Sequence, residues 1–66
     1  MNNEMYQLKD FPELLKVARE AAVKRPELKE EIADCVYMAR DEANDGGSRN
    51  HEEELAICSI KELLED

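Results

Sequence analysis

The sequence predicts an all-α fold, a small three-helix bundle built as one domain of 66 residues. Apolar residues recur at helical spacing over three stretches, and the alternation typical of strands occurs nowhere. Pro12, Pro26 and the Gly46-Gly47 pair supply the start and stop signals between these stretches. The 42% hydrophobic content is therefore periodic, which favours a folded chain even though 39% of the residues are charged.

The first helix is predicted from about Phe11 to Lys24, after a lead-in of residues 1–9. Asp10 and Glu13 have the spacing of a capping box, and Pro12 falls in the first turn, where its missing N–H costs nothing. One face carries the apolar residues Phe11, Leu14, Leu15, Ala18, Ala21 and Ala22. The apolar residues of the lead-in are expected to pack onto the helices: Met5, Tyr6 and Leu8.

The second helix is predicted from Pro26 to Asn44 and has the most regular amphipathic pattern. Its apolar positions are Leu28, Ile32, Cys35, Val36, Ala39 and Ala43. Gly46 and Gly47 end it, and one of them is expected in the left-handed conformation of a helix C-terminus.

The third helix is predicted from about His51 to Glu65, with Asn50 and Glu53 as a capping box. Its core-facing residues are Leu55, Ala56, Ile60, Leu63 and Leu64. Together the helices predict a core of Leu14, Leu15, Ala18, Leu28, Ile32, Val36, Ala39, Leu55, Ile60 and Leu63.

Charge is distributed unevenly along the chain, whose formal net charge is −8. Residues 1–25 carry 4 acidic and 5 basic side chains, whereas residues 26–66 carry 13 acidic and 4 basic ones. On a helical wheel, seven acidic residues of the second helix fall in an arc of about 120° opposite its apolar face. This carboxylate stripe is Glu27, Glu30, Glu31, Asp34, Asp41, Glu42 and Asp45. Lys29 and Arg40 fall outside the arc.

The stripe spans about 27 Å at the usual helical rise, or one charge about every 4 Å. One strand of duplex DNA carries a phosphate about every 3.4 Å. A groove of Lys and Arg made for a nucleic acid would thus meet a similar charge density, and the mid-stripe residues Glu31, Asp34 and Asp41 are the strongest candidates for contact. A merely solvated face is the alternative, although like charges at i, i+4 repel. Tyr37 and Met38, on the flank of this helix, are candidate interface anchors or packing residues.

Other classes of function find less support. Asp41 to Glu52 resembles a calcium-binding loop, but Ala43, Ser48 and Arg49 occupy positions that do not suit it, so no metal is expected. His51, the only histidine, lacks the partners of a zinc or catalytic site, and neither a cofactor nor enzymatic activity is expected. No coherent basic face predicts direct nucleic-acid binding.

Location follows from what the sequence lacks. No window approaches the ~18 apolar residues of a membrane span, and no secretory signal precedes Asp10. A cytoplasmic protein is expected, in which Cys35 and Cys58 remain free thiols.

A small, helical, strongly acidic chain with this carboxylate stripe resembles the DNA-mimicking inhibitors encoded by phages and mobile elements, and among them the small acidic anti-CRISPR proteins. The resemblance implies a protein that, if phage-encoded, acts in the cytoplasm of the bacterial host cell. There it would bind a basic nucleic-acid-binding protein, such as a CRISPR effector complex, and keep target DNA from binding. The nearly neutral first helix departs from the type.

The competing class is a regulatory adaptor, such as an antitoxin-like partner or an obligate helical dimer, whose acidic face only solubilises it. A DNA mimic is expected to be a monomer that loses affinity steeply with salt. An adaptor is expected to show an apolar patch and salt-tolerant self-association.

Overall fold

The computed structural model describes residues 5–65 and confirms a small all-α, three-helix bundle. Helix α1 spans Pro12–Lys24, α2 spans Lys29–Asn44 and α3 spans Arg49–Glu65. Short 3-10 helices precede α1 and α2, at Leu8–Asp10 and Pro26–Leu28. Each helix packs against the other two, and residues 5–65 contain no strand. Residues 1–4 of the predicted lead-in and Asp66 lie outside the described residues.

The start of α1 is capped differently from the prediction. The Asp10 carboxylate accepts a hydrogen bond from the Gln7 backbone N–H at 2.9 Å. Asp10 therefore caps the start of the first 3-10 helix and not that of α1. Phe11 stands at the N-cap position without a side-chain hydrogen bond. The predicted capping box of Asp10 and Glu13 is therefore wrong, because Asp10 is already engaged by the turn before the helix.

A carboxylate from α3 caps α1 instead. The Leu14 backbone N–H, one of the donors that a helix start leaves without an intrahelical partner, donates to Oε2 of Glu53 at 3.0 Å. The other oxygen, Oε1, accepts a hydrogen bond from Arg49 Nη1 at 3.0 Å. The same Arg49 nitrogen donates to the Asp10 carbonyl oxygen at 2.6 Å, and its guanidinium lies 5.7 Å from the centre of the Phe11 ring. These contacts fix α3 against the start of α1.

Two reciprocal hydrogen bonds attach the segment before α1 to the end of α2. The Tyr6 N–H donates to Asn44 Oδ1 at 2.6 Å, and Asn44 Nδ2 donates to the Tyr6 carbonyl at 3.1 Å. Leu8 packs against the core, and the Tyr6 ring meets Phe11 edge-on at 6.2 Å between centres. Met5 was expected to pack as well, but 66% of its surface is exposed.

The connection between α2 and α3 is four residues long, 45–48. Gly46 has a φ of +102°, which confirms the predicted left-handed glycine. The Glu42 carbonyl near the end of α2 accepts two hydrogen bonds, from the Asp45 N–H at 3.1 Å and from the Gly47 N–H at 3.0 Å. Helix α3 then begins two residues earlier than predicted, and Ser48 Oγ, not Asn50, accepts a hydrogen bond from the His51 N–H in the first turn, at 3.4 Å.

The core lies between the helices and includes half of the ten predicted residues. Its buried members are Phe11, Leu14, Ala21, Ile32, Val36, Ala39, Ala43, Ala56 and Ile60. Four predicted core residues pack against it while partly exposed: Leu15, Ala18, Leu28 and Leu63. The prediction was wrong for Leu55, which is 49% exposed. The buried side of α3 carries Glu53, Ala56 and Ile60. Leu55 lies on a different side of the helix and faces solvent.

Candidate protein-binding surface

Six residues of the carboxylate stripe share the outer side of α2. Five lie on the helix and Asp45 forms its C-cap, and every one of the six is exposed. Within each half of the helix they lie three or four residues apart, and seven residues, or about two turns, separate Asp34 from Asp41. All of them therefore lie on one side of the helix, whose opposite side carries Ile32, Val36 and Ala39 into the core. We call this set the α2 carboxylate face: Glu30, Glu31, Asp34, Asp41, Glu42 and Asp45.

Glu27 belongs to a different element from the other six. It lies in the 3-10 helix Pro26–Leu28, and α2 itself begins at Lys29, three residues after the predicted start. Its carboxylate accepts a hydrogen bond from Arg25 Nε at 2.6 Å, and this contact is the main reason that the pKa of Glu27 is lowered. Its charge is therefore partly compensated within the chain.

Arg40 was predicted to point away from the stripe, but it reaches back to it. Its Nη2 lies 3.2 Å from Oδ1 of Asp41, and its guanidinium lies 5.2 Å from the centre of the Tyr37 ring. The side chain is long enough to cross from its own position to the edge of the face. Asp41 is consequently the one member of the α2 carboxylate face with an ion-pair partner among residues 5–65. Tyr37, 47% exposed, serves as a platform for Arg40.

Met38 lies at the centre of the α2 carboxylate face and not on its flank as predicted. On α2 its neighbours at i−4, i+3 and i+4 are Asp34, Asp41 and Glu42. Its side chain is 61% exposed. The face is thus an acidic surface with an apolar side chain at its middle.

An open apolar cavity of about 180 Å³ lies beside Met38, between α2 and α3. Ala39 and Ala56 are buried residues at its base, and the exposed side chains of Met38 and Leu55 lie on its two sides. Its remaining lining residues are Cys35, Glu42, Glu52 and Ser59.

A second, more open depression continues along the same two helices and shares Cys35 and Ser59 with the first. It adds Glu31, Asp34, Glu62 and Leu63 to the lining. We call the two together the α2–α3 groove. Five carboxylates line it and no lysine or arginine does, within the part of the chain that the structure describes: Glu31, Asp34, Glu42, Glu52 and Glu62. Burial, and then the nearby charge of Asp34, raise the pKa of the Cys35 thiol in this groove.

Sequence reasoning identified the carboxylates but missed the groove. Leu55 was assigned to the core because it is a large aliphatic residue on an amphipathic helix. The signal that could have corrected this is the spacing of Ala56, Ile60 and Leu63 at i, i+4 and i+7, which defines an apolar side of α3 that excludes Leu55.

Neither a metal centre nor a membrane-spanning element is visible within residues 5–65. No group of three or more His, Cys, Asp or Glu side chains is placed to hold a metal ion there. The calcium-loop-like stretch from Asp41 is helical up to Asn44 and again from Arg49, so it does not form a 12-residue loop. In the same range no helix is long and apolar enough to cross a bilayer.

Comparison with protein-family models, with curated proteins and with solved structures finds no match to this chain.

Proposed function

We propose that the chain is a non-enzymatic binding protein whose α2 carboxylate face occupies a basic, nucleic-acid-binding surface of another protein and excludes the nucleic acid. The observation that carries the proposal is the exposure of all six carboxylates on one side of α2, five of them without an ion pair among residues 5–65. Like charges three and four residues apart repel, which costs a few tenths of a kcal/mol per pair. Cationic side chains of a partner would remove that cost and gain charge-assisted hydrogen bonds.

The dimensions of the face suit such a partner. From Glu30 to Asp45 the helix rises about 22 Å, which averages one charge about every 4.5 Å. The charges form two groups of three, and about 10 Å of helix separates Asp34 from Asp41. The phosphates of one DNA strand are about 3.4 Å apart. A surface that reads a nucleic-acid backbone through Lys and Arg could therefore contact several of these carboxylates at once. The resemblance to small acidic anti-CRISPR proteins makes CRISPR effector complexes the first partners to test.

The test compares two variants of equal charge. The face variant combines Glu31→Gln, Asp34→Asn and Glu42→Gln; it spares Asp41, which is already paired with Arg40. The control variant combines Glu20→Gln, Glu54→Gln and Glu65→Gln, three exposed carboxylates on α1 and α3. Both lose three negative charges and keep nearly the same side-chain shapes.

The measurement is displacement of fluorescently labelled target duplex from a panel of purified CRISPR effector complexes, followed by anisotropy at low and at physiological salt. We expect the parent chain to displace DNA from at least one complex, with a potency that falls as salt rises. The face variant should be at least about tenfold weaker, while the control variant should stay near the parent, because pairs at an interface depend on position as well as net charge. Equal potency of the two variants, or no displacement from any complex, would refute the proposal.

A helical adaptor or obligate dimer is the second candidate, and exposed Met38 and Leu55 are the observation in its favour. Light scattering across a range of concentration and salt distinguishes the two functions. Salt-tolerant self-association, together with failure to displace DNA, would support the adaptor and replace the inhibitor.

A further inference from the structure

We propose that the α2–α3 groove binds a basic amphipathic helix of the partner and that one large apolar side chain of that helix enters the cavity between Met38 and Leu55. The inference deepens the proposed function, and it rests on that function only for the basic character of the partner.

The apolar part of the groove has the size for one side chain. Its volume of about 180 Å³ is close to the ~150 Å³ of a cavity that accommodates benzene. Met38 and Leu55 leave 61% and 49% of their surfaces in water, so an incoming side chain would cover apolar surface on both. Methionine also adapts its shape to different apolar partners at low cost. A leucine, methionine or phenylalanine would fit this site.

The charges around the groove select a cationic partner. Glu42 and Glu52 line one end, and Glu31 and Glu62 line the other, without a lysine or arginine in the lining of either cavity among residues 5–65. A second copy of this chain, with its net charge of −8, would bring like charges together there. Lysine or arginine on either side of an apolar side chain would instead pair with carboxylates at both ends.

The length of the groove suits a helix. Glu31 and Glu42 are eleven residues apart on α2, or about 16 Å at the usual helical rise, which is about three turns of a docked helix. Grooves between two packed helices bind amphipathic helices through apolar side chains at i, i+3, i+4 and i+7. A basic helix with such a stripe therefore matches both the shape and the charge of the site.

The probes are two synthetic helical peptides of the same length and charge. The striped peptide carries leucines at i, i+3, i+4 and i+7 among lysines, and the plain peptide has alanine in place of each leucine. Affinity for both is measured by fluorescence anisotropy. Burial of one aliphatic side chain should make the striped peptide bind at least about tenfold more tightly than the plain one.

Three variants assign the binding to the groove. Met38→Ala with Leu55→Ala removes both apolar sides and should abolish the preference for the striped peptide without weakening the plain one. Ser59→Leu should have the same effect by filling the cavity from an exposed position. Val23→Ala, at an apolar residue of α1 that is 79% exposed, is the matched control and should change nothing.

A second readout follows Cys35, which lines both parts of the groove. In a Cys58→Ser background, the striped peptide should slow alkylation of Cys35, and the plain peptide should slow it less. Circular dichroism of each variant establishes that the helices are intact.

Equal binding of the two peptides, or a preference that survives both Met38→Ala/Leu55→Ala and Ser59→Leu, would overturn the groove proposal. Concentration-dependent dimerisation of the parent that these substitutions abolish would overturn it too, because the occupant would then be a second copy. These results are separable from the proposed function: DNA displacement that depends on the face variant could persist without any peptide preference, and a peptide preference could exist without DNA displacement.

Discussion

Among residues 5–65, Glu53 is the only buried charged side chain, and its two carboxylate oxygens have different partners. One accepts the Leu14 N–H of α1 and the other pairs with Arg49 of α3. Burial of a charge is unfavourable unless it is paired and hydrogen-bonded, and both conditions are met here. Arg49 also binds the Asp10 carbonyl, so the pair connects α3 to the chain segment that leads into α1.

Glu53→Ala is expected to destabilise the fold by about 1–3 kcal/mol, because the Leu14 N–H would stay buried without an acceptor. Glu53→Gln should cost less, since an amide oxygen can still accept that hydrogen bond. Urea unfolding followed by circular dichroism measures both. Glu54→Ala, at the exposed neighbouring residue, is the control and should shift stability by less than about 0.5 kcal/mol. A Glu53→Ala chain as stable as its control would contradict this account.

The burial of two α3 residues, Glu53 and Leu55, differs from the prediction. A helical wheel assigns apolar residues to the core and charged residues to water, so it placed Leu55 inside and used Glu53 only for a local cap. In the structure Glu53 is 7% exposed and Leu55 is 49% exposed. The burial of Glu53 depends on the Leu14 N–H from another helix, a partner that no local pattern contains.

The order and extent of the helices follow closely from local signals. The periodicity of Ile32, Val36 and Ala39 predicted the buried side of α2, because residues at i, i+4 and i+7 share one side of an α-helix. The residues at which the helices begin were less predictable. A proline signals that a helix begins, but not whether its first turn is α or 3-10; the Leu28 N–H to Arg25 carbonyl bond, at 2.9 Å, makes the turn before α2 the tighter form.

Gly46 controls how α2 joins α3, and thereby the geometry of the groove between them. Its φ of +102° is unfavourable for residues with a Cβ, although no atom outside its neighbouring residues lies within 4 Å of where that Cβ would be. Gly46→Ala should therefore cost about 1–2 kcal/mol from backbone strain alone. Gly46→Asn should cost less, because asparagine tolerates positive φ better. Thermal unfolding compares the two variants, and an alanine variant as stable as the parent would argue against the left-handed conformation.

At the scale of the whole molecule, charge is spread over the surface in a way that opposes folding. Four carboxylate pairs on α2 are three or four residues apart: Glu30 with Asp34, Glu31 with Asp34, Asp41 with Asp45, and Glu42 with Asp45. At a few tenths of a kcal/mol each, they cost the fold about 1–2 kcal/mol at low salt. The ion pairs Arg25–Glu27 and Arg40–Asp41 are largely exposed to solvent, so they offset little of this repulsion.

Added salt is therefore expected to stabilise this protein. Between about 10 mM and about 1 M sodium chloride the Debye length falls from about 30 Å to about 3 Å, which is shorter than the separation of the paired carboxylates. Relief of about 1 kcal/mol would raise the thermal midpoint by roughly 4–8 °C in a domain of this size. The Arg49–Glu53 pair opposes the trend only weakly, because Glu53 is buried and thus poorly screened.

The face variant and the control variant distinguish screening of repulsion along α2 from a general effect of salt on protein stability. The face variant removes three of the four repulsive pairs, so its midpoint should lie above that of the parent at low salt and rise less with added salt. The control variant leaves all four pairs in place and should respond to salt much as the parent does. The measurement is differential scanning fluorimetry of the three chains across the salt series. If the face variant and the parent gain the same number of degrees, repulsion along α2 does not limit stability, and the argument that a cationic partner would relieve it loses its energetic basis.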